Sequence, residues 1–174
     1  MSLVALTVTP DTAADAQRLA AGARRMALED PTLSVDLDER TGVAHVAAMS
    51  ERHLAIVVEL LRTQYDVEAR VSRPHIVYKE IDGVLCEPVV HLVLEVPSEY
   101  TRDLAQNVAA RHGRILSYQE SDGIEVIVAR VRLAELWGYH DDFHAVTMDR
   151  GASSLRFAGY FPCDSDDLNP LVLK

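Results

Sequence analysis

The feature that most constrains this chain is an order of elements that repeats on either side of a central joint. The joint runs through Arg73-Pro74-His75-Ile76-Val77-Tyr78-Lys79-Glu80 and Ile81-Asp82-Gly83-Val84-Leu85-Cys86 to Glu87-Pro88. Its two prolines push Arg73 and Glu87 toward extended backbone, and Asp82-Gly83 between them is a turn signal. This spacing predicts a short tether at about residues 79–88, with one domain at 1–80 and a second at 81–174. With 174 residues shared between them, each half sits near the lower end of workable core size.

In the first half Val4, Leu6 and Val8 alternate as in a half-buried strand, which Pro10-Asp11 ends. Thr12 is placed to cap a helix, with Asp15 three residues on, and Ala16, Leu19, Ala20, Ala23, Met26 and Ala27 recur at helical spacing. Asp30-Pro31 stops that helix. Leu33, Val35 and Leu37, a turn at 38–42, and residues 43–48 read as a hairpin. Ser50 caps a second helix carrying Leu54, Val57, Val58, Leu61 and Tyr65 on one face, and Val67, Ala69 and Val71 close the unit as a strand.

The second half repeats the order. Val90, Leu92, Leu94 and Val96 alternate; Pro97-Ser98 opens a helix with Leu104, Ala105, Val108 and Ala109 inward; Gly113 is expected as its left-handed terminator. Residues 114–120 and 124–132 form a hairpin around Ser121-Asp122-Gly123. Residues 133–139 read as a packed turn into a short helix at about 140–148, and Leu155 and Phe157 belong to a last strand. Beyond Pro162 the run Cys163-Asp164-Ser165-Asp166-Asp167 reads as a loosely held tail. Each half is thus strand, helix, strand, strand, helix, strand. The expected class is α+β: two consecutive ferredoxin-like βαββαβ domains, each a four-stranded antiparallel sheet with two helices on one face. Such modules serve as enzymes, sensors and RNA binders, so the fold alone assigns no function.

Composition narrows the classes. A formal charge of −10 disfavours non-specific grip on free RNA or DNA. No apolar run is long enough for a membrane helix and no secretory signal opens the chain, so a cytoplasmic protein is expected. Cys86 and Cys163, far apart in sequence and outside any Cys-x-x-Cys pair, read as reduced thiols.

Three constellations have the residue types for chemistry. His140 and His144 stand one helical turn apart beside Asp141, a metal-ligand spacing without an identifiable third ligand, and a solvated helix face accounts for it as well. Ser50-Glu51-Arg52-His53 opens a helix where backbone donors and an imidazole can meet a phosphate, although Glu51 opposes an anion and Ser50 is already explained as a cap. Arg150-Gly151 joins a helix to a strand; the arginine suits either the helix C-terminus or a phosphate.

Nucleotide hydrolysis is excluded more firmly. The only lysines, Lys79 and Lys174, follow no glycine-rich loop, and neither Asn107 nor Asn169 is followed by lysine, so both the phosphate loop and the guanine-reading Asn-Lys-x-Asp motif are missing. No serine or cysteine sits in a nucleophile elbow. The chain is expected to be no enzyme by itself and to need no cofactor.

Taken together, several stretches resemble translational GTPases of the elongation factor G type. Glu29-Asp30-Pro31-Thr32, Met49-Ser50-Glu51-Arg52-His53-Leu54, Tyr65-Asp66-Val67-Glu68-Ala69 and Pro74 with Tyr78-Lys79-Glu80 are similar to the third domain of that family. Glu87-Pro88, Pro97 with Glu99-Tyr100, residues 111–113, Leu133-Ala134-Glu135 with Gly138-Tyr139, Asp142, Thr147, Arg150-Gly151 and Phe157 are similar to the fifth. The direct step from the third to the fifth resembles the BipA type, which lacks a fourth domain, and the family's Gly-Glu-Leu-His-Leu-Glu signature stands here as Ser50-Glu51-Arg52-His53-Leu54-Ala55. The resemblance implies a non-catalytic module that docks on ribosomal RNA and proteins through Arg52, His53, Arg114 and Arg150. It implies a GTPase domain in cis or in trans, the chain being either a piece of a longer GTPase or a free-standing relative. A small-molecule-sensing or protein-interaction module built on the same fold is the alternative.

Overall fold

The computed structural model describes residues 2–163. Its contacts divide the chain into two compact units, Met1–Val77 and Tyr78–Lys174.

The first unit runs β1 (Val4–Pro10), α1 (Ala13–Glu29), β2 (Ser34–Leu37), β3 (Ala44–Ala48), α2 (Glu51–Thr63), β4 (Ala69–Val71) and β5 (His75–Ile76). The sheet order is β2-β3-β1-β4, with β5 also on β1. Strand alternation sends Val4, Leu6 and Val8 of β1 and their partners Ala48, Val46 and Ala44 of β3 to one face, and all are buried with Leu19, Leu54 and Leu61 from the helices. Thr12 and Ser50 cap α1 and α2, accepting from the backbone N–H of Asp15 at 3.1 Å and of His53 at 3.2 Å.

The closing edge is less regular than the alternation of Val67, Ala69 and Val71 suggests. Pro74 lacks a ladder donor, so pairing with β1 lapses after Val71 and resumes at His75↔Ala5 and Ile76↔Val4. Ser72 bridges the gap with both of its groups: its N–H donates to Thr7 O and its hydroxyl accepts from Thr7 N–H, each at 2.9 Å.

Asp15 is the buried carboxylate of this unit, 2% exposed. It accepts from the Thr12 hydroxyl at 2.5 Å, from Arg18 at 2.5 Å and from the Glu68 backbone N–H at 3.0 Å, tying the start of α1 to the entry of β4. The Thr12 hydrogen bond first, and the Glu68 N–H next, hold its carboxyl down at about 2. A depressed folded value means stability that is present above the unfolded value of about 4 and lost as pH falls toward about 2. Asp15→Asn is therefore expected to lower Tm at neutral pH and to flatten the acid limb between those pH values. Thermal melts of both proteins across that range check it, and parallel acid limbs would count against the assignment.

The second unit runs β6 (Lys79–Ile81), β7 (Val84–Pro97), α3 (Thr101–Ala110), β8 (Arg114–Ser121), β9 (Ile124–Arg132), α4 (Tyr139–Thr147) and β10 (Ala152–Pro162), with single 3-10 turns at Ser98–Tyr100 and Leu133–Leu136. The order is β10-β7-β9-β8, all antiparallel, with β6 on β7. Both units are ferredoxin-like α+β sandwiches. Much of the stretch read as a tether is itself folded: Lys79–Ile81 pairs with the start of β7 around Asp82 (φ 52) and Gly83 (φ 77). Two successive left-handed residues in a two-residue loop are what a tight hairpin turn requires, and Asp122-Gly123 repeats the device between β8 and β9. The acidic tail read at 163–167 lies, after Cys163, outside the described residues.

Close approaches fix the helix-covered face. A Cβ on Gly113 would lie 2.7 Å from Val108 Cγ1 and 2.9 Å from Val131 Cγ2, and one on Gly151 (φ 142) would lie 2.8 Å from both Glu95 O and Val96 Cγ1. Val90, Leu92, Leu94 and Val96 of β7, with Ile127, Ala129 and Val131 of β9, therefore lie beneath the helices, and all are buried. Gly113 does not supply the left-handed residue expected of it. That residue is His112 (φ 56), and Gly113 is small because the side chains of Val108 and Val131 occupy the space.

Candidate functional site

The cationic residues singled out in the sequence fall in three separate places. His53, in the first turn of α2, sets Nε2 2.9 Å from Asp30 Oδ2 at the end of α1. The Thr32 hydroxyl and backbone N–H, with His53 adding to them, hold the Asp30 carboxyl below the usual range. His53 thus has a structural task, joining two helix ends, and Arg52 beside it is exposed. Arg150 donates to the Glu99 carboxylate and the Tyr100 hydroxyl and lies 5.0 Å from the Tyr100 ring centroid, linking the segment after α4 to the turn before α3. His140 and His144 stack edge to face at 4.2 Å, and His144 Nδ1 donates to Asp149 at 2.8 Å. Among the described residues no group of three or more His, Cys, Asp or Glu is placed to hold a metal. A groove of about 510 Å³, lined by Arg24, Ala27, Leu28, Val35 and Leu37, lies in the first unit and is open to solvent.

Arg114 has a different setting. It opens β8 opposite Arg130 of β9; Arg130 is opposite His91 of β7; and His91 is opposite Arg156 of β10. Directly opposed residues of an antiparallel sheet share a face, and His91 alternates with the helix-facing Val90 and Leu92. The four side chains therefore form one transverse row across the face of the second sheet opposite its helices. Arg130 Nε donates to His91 Nε2 at 3.4 Å, and its guanidinium lies 5.9 Å from the Phe161 ring centroid. Burial, then the charges of Arg130 and Arg156, push the His91 imidazole below its ordinary value. Arg132, two residues along on the same face, pairs with Glu87 at 2.7 Å.

In the sequence Arg114 stands out as a contact candidate and Arg156 only as an arginine beyond Arg150-Gly151, while nothing singles out His91 and Arg130. The local sign was there, since Arg130 and Arg132 alternate with buried Ala129 and Val131. What was missing was the register that lines up four strands.

Two family descriptions match in series. "Elongation Factor G, domain III" matches residues 1–73 and "Elongation factor G C-terminus" matches residues 84–171, half of the chain by itself. The chain belongs to the elongation factor G C-terminus family. Its likeness to translational GTPases extends to the large ribosomal subunit assembly factor BipA of Bacillus subtilis (strain 168), 33% identical over 118 residues, which are 67% of this chain and 19% of BipA. The chain thus spans about a fifth of the length of that curated relative. The crystal structure of ttk003000868 from Thermus thermophilus superposes with a TM-score of 0.63 at 19% identity, over 92% of this chain and 40% of that one; this likeness concerns the fold. The matched regions of this elongation factor G relative are C-terminal, non-catalytic parts of such factors. Among the described residues no helix is long and apolar enough to cross a membrane.

Proposed function

We propose that this pair of domains is a non-catalytic ribosome-docking module of the cytoplasm, acting with a GTPase domain supplied in cis or in trans. The observation that carries the reading is the serial match to domain III and the C-terminus of elongation factor G, joined by likeness to a factor named for large-subunit assembly. The sequence adds that neither lysine stands in a phosphate loop, so the chain contributes surface and no hydrolysis. Arg52, Arg114 and Arg150 are the contact candidates, with His53 shared between contact and helix linkage.

The purified chain is expected to co-sediment with ribosomes at low salt and to be released as salt rises, because phosphate contacts exchange with counterions. The same preparation is expected to turn over no GTP. Absence from the ribosome pellet at low salt, with and without a GTPase partner, would overturn the reading.

A further inference from the structure

We infer that the transverse row Arg114–Arg130–His91–Arg156, on the face of the second sheet opposite its helices, is a binding track for an RNA phosphate backbone. This rests on the ribosome-docking reading and names the surface and chemistry through which the docking occurs. Neighbouring strands lie about 4.8 Å apart, so four side chains in register span about 14 Å, enough to follow a few successive phosphates.

Three observations favour an anion here. Arg114 stands directly opposite Arg130, which sets two guanidinium-bearing side chains side by side on one face. Four of the seven arginines in residues 81–174 lie on this one face, so the basic charge of an acidic chain is concentrated rather than dispersed. Of the carboxylates on the same face, Glu87 is held by Arg132 and Glu95 lies outside the transverse row, whose four members include none. Guanidinium groups suit phosphate by their fork of donors, and the outer two, Arg114 and Arg156, are exposed. RNA is favoured over an acidic protein segment because the guanidinium groups, at the first, second and fourth positions of the row, fall along one line, as the charges of a phosphodiester chain do.

His91 supplies a second readout. The groups facing it are Arg130 from β9 and Arg156 from β10, with Arg114 next in the row, Arg132 and Glu87 to one side and Glu95 to the other. A phosphate laid over the row adds negative charge beside an imidazole flanked by guanidinium groups, so binding is accompanied by proton uptake and tightens as pH falls.

The test titrates the full chain with protein-free ribosomal RNA from both subunits at several salt concentrations, alongside sedimentation with intact ribosomes. Arg114→Gln and Arg156→Gln are the working variants, since both side chains are exposed, with circular dichroism as the folding check. Arg102→Gln, an exposed arginine of α3, removes the same charge elsewhere. Each row variant is expected to weaken RNA binding roughly five- to tenfold and to shallow the slope of log K against log salt by about 0.7–0.9, with Arg102→Gln near wild type. His91→Gln is expected to remove the pH dependence. Equal loss in all three arginine variants, or none in the row variants, would overturn the track. Ribosome binding that needs Arg114 and Arg156 while free RNA is ignored would assign the face to an acidic protein surface instead. RNA binding through the row without sedimentation on ribosomes would keep the track and remove the docking reading.

Discussion

Phe143→Ala is expected to cost the second unit about 3–5 kcal/mol, the range for emptying the site of a fully buried aromatic ring. Phe143 is 1% exposed, and its Cζ lies 3.3 Å from where a Cβ on Gly151 would stand. The neighbouring rings of Tyr139 and His144 have centroids 6.3 and 5.4 Å away. Collapse around the void is restricted because the facing wall is backbone: Gly151 is held at φ 142 against Glu95 O in a central strand. The helix cannot compensate either, since α4 has nine residues and depends on its buried face of Tyr139, Phe143 and Thr147. Urea unfolding followed through the single tryptophan, Trp137, which lies just before α4, reads this unit directly. Phe143→Leu should lose less, because it retains part of the volume. A loss below about 1 kcal/mol for the alanine variant would mean that α4 is not packed as described.

The element order was legible because the long elements state their period. Val90, Leu92, Leu94 and Val96 alternate along β7, and all are buried on the helix face. Asp122-Gly123 sits where both residues have positive φ, and Thr12 and Ser50 act as the caps their positions suggest. The misses are local and have a common cause. β5 and β6 have two and three residues, too few to display a period, and what makes them strands is the edge of β1 or β7 beside them. The prolines at 74 and 88 suggested a tether because their local bias is real, but that bias toward extended backbone is also compatible with strand. His112 and Gly113 show the same limit: glycine is the default for a left-handed position, yet here a contact with Val108 and Val131 claims it one residue later.

The candidate site was less legible than the fold, and for a related reason. Charge counted along the chain averages to −10, which argues against nucleic acid. Register redistributes it: strands β8, β9, β7 and β10, distant in sequence, align Arg114, Arg130, His91 and Arg156 in one row. Conversely, His53 and Arg150, which looked like surface cations in the sequence, are drawn into ties with Asp30 and with Glu99 and Tyr100. A cation's role depends on what the fold sets beside it.

Arg111 illustrates this from the structural side and gives the second large effect expected. At the C-terminal end of α3 its side chain is only 18% exposed; Nη1 donates to Glu135 O at 2.5 Å and to Trp137 O at 3.2 Å, and Nη2 to the Asp142 carboxylate. Its guanidinium also lies 5.3 Å from the Tyr139 ring centroid. One planar fork thus holds the 3-10 turn at Leu133–Leu136, the residue after it and the first turn of α4, a stretch whose backbone has no sheet to pair with. Arg111→Ala leaves two carbonyls without this donor. Hydrogen bonds to a charged group are each worth about 1.5–3 kcal/mol, and the Asp142 contact is discounted because that carboxylate is half exposed, so the net loss expected is about 2–4 kcal/mol. Arg111→Lys keeps the charge but not the fork, and should recover less than half of it. Trp137 fluorescence during urea unfolding reports on the clamped segment itself, and lysine restoring full stability would show that charge, not the two-carbonyl grip, holds this turn in place.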